Sequence, residues 1–398
     1  MAAPMERMIL QSDWQYSLRE EKGRAWITYK GTNCPSVHGH LDTQGMSREG
    51  VPEVTGTDGF SVQNITKYTL TARYSGELGS LTRKFVAPQI SFSAIHKQNK
   101  SVPCIDVTAG GLGVSCDSEN KLLVWQTSDG EVRRRLEGHM GDVYTCRFFP
   151  SGVVLLSGGA DMQMKIWSVE TGKCAATLRG HTAGILETAV VDRGRNIVSC
   201  GRDGTAKLWD VGQSSVLTTF KDCGGIVNSC AVEVTENSID LGAPDNPPSE
   251  REVSTDGRML LLGCENATLQ GYGLRSRQKI FELDCHSAVN VVAFLSDVQA
   301  VCGTQDGHLT VVDIRNVRVP VKEWQESRSA ILSLLPHKQG FFASTGDGSC
   351  FFVDERQETR VELTGADCDP VYGTACDGSH VYTSCRDAAI RRYSLLHV

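Results

Sequence analysis

No run of five or more Lys or Arg occurs anywhere in the 398 residues, and the formal net charge is −7. Nucleic-acid backbones demand a clustered basic surface, so they are poor candidate ligands. Long hydrophobic runs are also missing. The opening MAAPMERM has no apolar core of the kind a secretory signal carries, and stretches such as Met259 to Leu262 are far too short to span a bilayer. No membrane association is expected, and the cytoplasm is the expected compartment, with the nucleus as a second one.

Paired Cys-x-x-Cys spacing is absent although there are 15 cysteines, which disfavours a zinc or dithiol redox site. Many of the cysteines, among them Cys146, Cys200 and Cys302, lie in apolar strand-like runs, where a free thiol acts as a small hydrophobe. The catalytic signatures are missing too: there is no His-Glu-x-x-His, no phosphate-binding Walker loop, no Gly-x-Ser-x-Gly and no dinucleotide fingerprint. Gly110-Gly111-Leu112-Gly113 is glycine-rich but reads as a β-turn between two strands. No catalytic, cofactor-binding or metal-binding residues are expected, and the chain is not expected to be an enzyme.

A repeat is present instead. KLLVWQT, MKIWSVE and AKLWDVG place Trp125, Trp167 and Trp209 at intervals of 42 residues, and Gly138-His139 and Gly180-His181 share that interval. An acidic or amide residue precedes the end of each such strand by six positions, at Glu119, Asp161, Asp203, Asn266, Asp306, Asp347 and Asp387. The strands close at Trp125, Trp167, Trp209, Tyr272, Val312, Val353 and Tyr393. The intervals of 42, 42, 63, 40, 41 and 40 describe seven units, one with an insertion of about 21 residues.

These residues resemble the WD-repeat family over about residues 83 to 398. The resemblance implies an all-β, seven-bladed propeller of four-stranded antiparallel sheets. It also implies a buried tetrad in regular blades, with two complete copies: His139, Ser157, Asp161 and Trp167, then His181, Ser199, Asp203 and Trp209. Each buried polar group of such a network needs a partner, so the role is stability. In the later blades the His position falls to Cys223, His286, Ser327 and Asp367.

The last strand, IRRYSLLHV, leaves no room for an outer strand of its own blade, and an open edge invites association. Residues 83 to 92, RKFVAPQISF, are expected to supply the missing strand and close the ring. Residues 1 to 80 then form a small separate N-terminal α+β domain, with Ser12-Asp13-Trp14-Gln15 opening a helix through roughly Lys22. The propeller takes residues 81 to 398. The insertion, assigned to the third unit at residues 236 to 258, holds three prolines and a net charge of −4 and reads as a solvated loop on the bottom face.

The top face is where partners would meet the ring. Three corners between blades carry Asp-Cys, at Asp222-Cys223, Asp284-Cys285 and Asp367-Cys368, the last followed by Asp369. Together they suggest an acidic arc suited to a basic protein segment, with Arg202 and Arg386 partly opposing its sign.

A closer resemblance rests on RFFPSGVVLLSGGADMQMKIWS (147–168), VDRGRNIVSCGRDGTAKLWD (191–210), PSEREV (248–253), GDGSCF (346–351) and ELTGADCDPVY (362–372). With QSDW (11–14) and VPEVT (51–55) it covers nearly the full length, and it is to the proteasomal ATPase-associated factor family. The resemblance implies a non-enzymatic chaperone that binds ATPase subunits of the proteasome regulatory particle, largely through their C-terminal domains. It also implies that such a factor hinders docking onto the core particle; the chain is expected to be a monomer when free. Fungal members are thought to set acidic propeller residues against a basic ATPase surface, with no residue-by-residue correspondence to this chain. The alternative is a substrate receptor of a cullin-type ubiquitin ligase. Its mark, Trp-Asp-x-Arg, has one degenerate copy at Val312-Asp313-Ile314-Arg315.

Overall fold

The computed structural model describes residues 6–31, 34–48, 50–221, 223–236, 238–244, 247–325, 329–338, 340–354, 356 and 358–398, with the side chains of 359 and 360 excepted. Five four-stranded antiparallel sheets follow one another at residues 104–136, 143–179, 185–220, 227–284 and 289–325. A sixth spans 331–363, and the seventh joins 371–394 to an upstream strand, which completes a seven-bladed propeller. The repeat seen in the sequence is also a repeat of backbone: a bulge recurs where the third strand meets the fourth, at Trp125, Trp167, Trp209, Tyr272 and Val353.

Blades are held together by apolar clusters shared between neighbours, such as Val198, Leu208, Val227 and Leu260 between the third and fourth. Near the axis a polar tie recurs. Asp106 accepts the Phe148 amide at 2.7 Å, Ser229 accepts that of Val292 at 3.2 Å, and Ser333 accepts that of Thr374 at 3.1 Å. Each spans from the innermost strand of one blade to that of the next and uses an amide that the sheets leave unpaired. The inner strands surround a cavity of about 410 Å³.

The N-terminal part consists of β1 (Arg7–Leu10), α1 (Trp14–Ser17), β2 (Arg24–Lys30), β3 (Val37–Met46), β4 (Pro52–Gly56), β5 (Phe60–Ile65), β6 (Thr69–Gly76) and β7 (Gly79–Val86). Strands β1 to β4 make one sheet, and β5 to β7 extend the sixth blade to seven strands. The expected helix is cut to a single turn: Leu18 is already buried against Trp14, Lys22 takes φ of 56°, and the chain turns at Gly23 into β2. Asp13, not Ser12, sits at the helix start, and it makes no side-chain cap bond. The region is therefore β-rich with one helical turn, built around Met8, Trp14, Ile27, Tyr29, Leu70 and Phe85, with Tyr29 stacked on Tyr74 at 4.2 Å.

Ring closure differs from the sequence expectation in one respect. Of residues 83 to 92, only β8 (Ile90–Phe92) pairs with the last strand, Ile390–Ser394. Residues 83 to 86 end β7, which runs parallel to the outer strand of the sixth blade, Val361 opposite Lys84 and Leu363 opposite Val86. Pro88 separates the two roles, since it has no amide to continue a ladder. β7 also crosses residue 80, so the N-terminal part and the propeller share a sheet. Trp14 Nε1 donates to Thr364 Oγ1 at 3.0 Å, and Arg7 meets Asp347 at 3.2 Å, fixing the N-terminal part to the sixth blade.

The insertion lies between the first and second strands of the fourth blade, not in the third, and it is a strap more than a solvated loop. Ile239 and Leu241 pack against the cluster under the fourth and fifth blades. Glu252 is buried and bonds Arg277. Asn196 of the third blade donates to the Arg251 carbonyl at 3.1 Å and accepts the Val253 amide at 2.7 Å. A solvated reading from composition missed these partners because Asn196 and Arg277 lie well outside the insertion in sequence.

Candidate protein-binding face

The corners of the regular blades are built by hydrogen bonds. In the second blade His139 Nδ1 lies 2.9 Å from Asp161 Oδ2, His139 Nε2 lies 2.7 Å from Ser157 Oγ, and Trp167 Nε1 donates to that Oγ at 2.8 Å. In the third, His181 lies 2.7 Å from both Asp203 and Ser199, and Trp209 donates to Ser199 at 2.8 Å. An indole N–H can only donate, so the serine oxygen accepts from it and its own proton goes to Nε2. The imidazole proton then sits on Nδ1, facing the carboxylate. Every serine proton and imidazole nitrogen is engaged within the fold, and Ser157 and Ser199 are fully buried, so these groups offer no nucleophile to a substrate.

A third tetrad is present in the first blade. His96 Nε2 is 2.7 Å from Ser115 Oγ, His96 Nδ1 is 3.2 Å from Asp117 Oδ2, and Trp125 Nε1 donates to Ser115 at 3.1 Å. The sequence repeat had singled out Glu119, two residues further on. Glu119 instead points outward among Lys97, Lys100 and Lys121. The signal was weakened because no glycine precedes His96, and because Asp117 stands eight residues before Trp125 where Asp161 and Asp203 stand six before their tryptophans.

Electrostatics follow burial and bonding. Burial would push the Asp203 carboxyl up, but hydrogen bonds from His181, Thr182 and Thr205 prevail and hold it below the usual carboxylate range. For His139 burial wins over the attraction of Asp161, so its pKa falls.

In the irregular blades the corner residues differ from the sequence expectation. Cys302 stands in the register of Ser157, each paired with the residue two before the strand-closing position. Its neighbour is Cys285, with the sulfurs 3.9 Å apart. The position expected for His286 is thus filled by Cys285, while His286 turns outward, stacks on His308 at 4.3 Å and reaches Glu323 at 3.3 Å. At the corner before the seventh blade the buried residue is Ala366; Asp367 and Cys368 are both exposed, and Asp367 has φ of 53°. Cys223 is buried as expected, and its carbonyl accepts from Gln270 at 3.2 Å. Gln270 in turn holds the Tyr272 hydroxyl at 3.0 Å, a local substitute for the tetrad. Asp222 and Ser327 lie outside the described residues.

The acids of the suggested arc are not equivalent. Asp369 pairs with Arg386 at 2.8 Å. Arg202 lies over the Tyr144 ring at 5.5 Å, on the second and third blades. Asp284 and Asp367 are exposed, and no ion pair engages either of them among the described residues. Beside Asp284, the fifth blade adds Asp306 and Glu323, which the sequence had offered only as a turn marker or not at all. Arg315 folds back on Asp313 at 2.6 Å and on Glu236 of the strap at 3.4 Å. Among the described residues no group of three or more His, Cys, Asp or Glu could hold a metal ion.

A family model described as WD domain, G-beta repeat, matches residues 130–168 and 172–210, each the outer strand of one blade with the three inner strands of the next, the second and third blades in turn. Over 99% of both chains the sequence is 51% identical to Proteasomal ATPase-associated factor 1 of Homo sapiens. It is 49% identical to the Gallus gallus protein of that name, covering 97% of this chain and 98% of the relative. The chain belongs to the proteasomal ATPase-associated factor family. A Dictyostelium discoideum protein, Probable proteasomal ATPase-associated factor 1, is 34% identical over 97% of this chain. This chain and that relative align over nearly their full lengths, N-terminal part included. That matches a structure in which β7 is part of the sixth blade and not a detachable appendage.

Proposed function

We propose that this member of the proteasomal ATPase-associated factor family is a non-enzymatic scaffold that binds ATPase subunits of the proteasome regulatory particle through their C-terminal domains. While bound it hinders docking of that particle onto the core, and it acts in the cytoplasm and nucleus as a monomer when free. The names of the relatives support the class of partner. The observation that carries the binding mode is the pair of exposed corner acids, Asp284 at the end of the fourth blade's outer strand and Asp367 in the turn before the seventh, which no ion pair engages among the described residues. Unpaired carboxylates on an ordered rim steer a basic surface and favour its registration at modest cost, because no internal ion pair has to break first.

The test is to replace Asp284 and Asp367 with Lys and measure association with purified ATPase C-terminal domains at low and moderate salt. Association should slow by about tenfold or more at low salt, with a flatter salt dependence. Asp369→Ala, which removes a carboxylate already neutralised by Arg386, should change little. Unchanged association by a folded Asp284→Lys/Asp367→Lys protein rejects this face as the binding site. Co-purification of a ligase adaptor in place of ATPase subunits would favour the receptor alternative, whose signature arginine here is tied to the strap.

A further inference from the structure

We propose that Cys285 and Cys302 form a peroxide-responsive thiol pair, in which oxidation creates a disulfide that closes the corner between the fourth and fifth blades. Two thiols stand here where His and Ser stand in the regular tetrads, with sulfurs 3.9 Å apart and 17 positions apart in sequence. A bond requires the sulfurs to approach to about 2.05 Å. Rotation about χ1 of Cys285, which is only half-buried at the corner, supplies that movement.

Other thiols of the chain lack one of the two requirements. Cys104, Cys116 and Cys146 influence one another, as do Cys200 and Cys230, but all five are buried. Cys174 and Cys368 are exposed, and no thiol contacts either of them among the described residues. Among the described residues, only at Cys285 does a partly exposed cysteine touch another thiol. Cys302 is held in its thiol form by its hydrogen bond with Cys285 and by burial. The order of events follows. The Cys285 thiolate attacks hydrogen peroxide, an S–O bond forms, the O–O bond breaks and hydroxide leaves as water. Cys302 then attacks the sulfenic sulfur, the S–S bond forms, the S–O bond breaks and a second water leaves with the Cys302 proton. Both sulfurs are oxidised and one peroxide is reduced to two waters. The product is a covalent tie where the first three blades have a hydrogen-bonded one.

The experiment treats the folded full chain with hydrogen peroxide, blocks free thiols, and digests with a protease that cuts before aspartate. Cuts before Asp284, Asp297 and Asp306 separate the two cysteines into peptides 284–296 and 297–305. The expected result is a linked pair of these peptides that is lost on reduction and absent from Cys285→Ser and Cys302→Ser. The second variant restores the residue type of the regular blades and should fold. In it, peroxide-treated Cys285 should capture dimedone. Two blocked, unlinked thiols in the treated wild-type chain would overturn the proposal. So would dimedone capture confined to Cys174 or Cys368, or a link that forms only after denaturation.

Discussion

Replacing Asp117 with Ala should destabilise the propeller far more than replacing Glu119, although the repeat in the sequence favours Glu119 as the turn acid. Asp117 is 1% exposed and accepts three hydrogen bonds: from His96 Nδ1 at 3.2 Å, the Glu119 amide at 2.9 Å and the Lys121 amide at 3.0 Å. A buried donor left without a partner costs about 1–3 kcal/mol. The two amides lie in a turn that water reaches once the carboxylate is gone, whereas His96 is enclosed and loses its only acceptor at Nδ1. The expected loss is therefore about 2–4 kcal/mol, dominated by the imidazole. Glu119 faces three lysines in solvent, where screening leaves exposed ion pairs little net effect, so Glu119→Ala should be barely measurable. Urea titration of the full chain followed by tryptophan fluorescence reads both variants against wild type. Equal midpoint shifts, or a larger shift for Glu119→Ala, would refute the assignment of a third tetrad.

Three further outcomes are expected. The folded His139 pKa lies below the ordinary value, so the unfolded chain binds the extra proton first and stability falls as pH drops from about 6.5 toward the folded value; thermal midpoints across that window should show a shallower fall for His139→Asn than for wild type, and identical slopes would contradict it. Glu252→Ala removes the buried partner of Arg277 and should free the strap, speeding tryptic cleavage after Arg251 by roughly tenfold in native conditions; an unchanged cleavage rate would mean that the strap is held elsewhere. Trp14→Phe keeps the ring but loses the bond to Thr364, and hydrogen exchange should quicken in β7 and the outer strand of the sixth blade while the second and third blades stay protected; uniform quickening, or none, would argue against a local joint.

What could be read from the sequence is what depends on short-range repetition. The 42-residue interval between Trp125, Trp167 and Trp209 marks a strand, a bulge and a buried ring that recur in the backbone. The acids at Asp161 and Asp203 follow because their partners are supplied by the same repeat. What escaped was set by contacts between distant segments. Nothing near Glu252 announces Arg277 or Asn196, and nothing in RKFVAP announces that it will run parallel to residues 361 to 363. A turn longer by two residues, which puts Asp117 eight positions before Trp125 where Asp161 and Asp203 stand six before their tryptophans, was enough to hide Asp117 behind Glu119. The Asp-Cys pairs mislead for the same reason: the first two described cysteines, Cys223 and Cys285, turn inward, whereas Cys368 is exposed because Ala366 takes the buried place.

These differences among blades bear on where a partner would bind. In the first three blades the acid nearest the corner is consumed by a histidine, so Asp117, Asp161 and Asp203 project no free charge. At the corner entering the fifth blade the inner place is taken by a thiol, and at the corner entering the seventh by a methyl group. The turn acids of these blades turn to other partners, Asp306 to His308 at 3.0 Å and Asp387 to Arg391, and the corner acids Asp284 and Asp367 face solvent. The exposed charge of these two corners therefore accompanies the loss of the tetrad but does not come from its turn acid. Restoring the tetrad would test whether the two can be separated. Cys285→His with Cys302→Ser should draw Asp306 inward, stabilising the fifth blade while removing a carboxylate from the rim. If partner association weakens although Asp284 is untouched, Asp306 belongs to the binding surface; if it does not, the surface is confined to the corner acids.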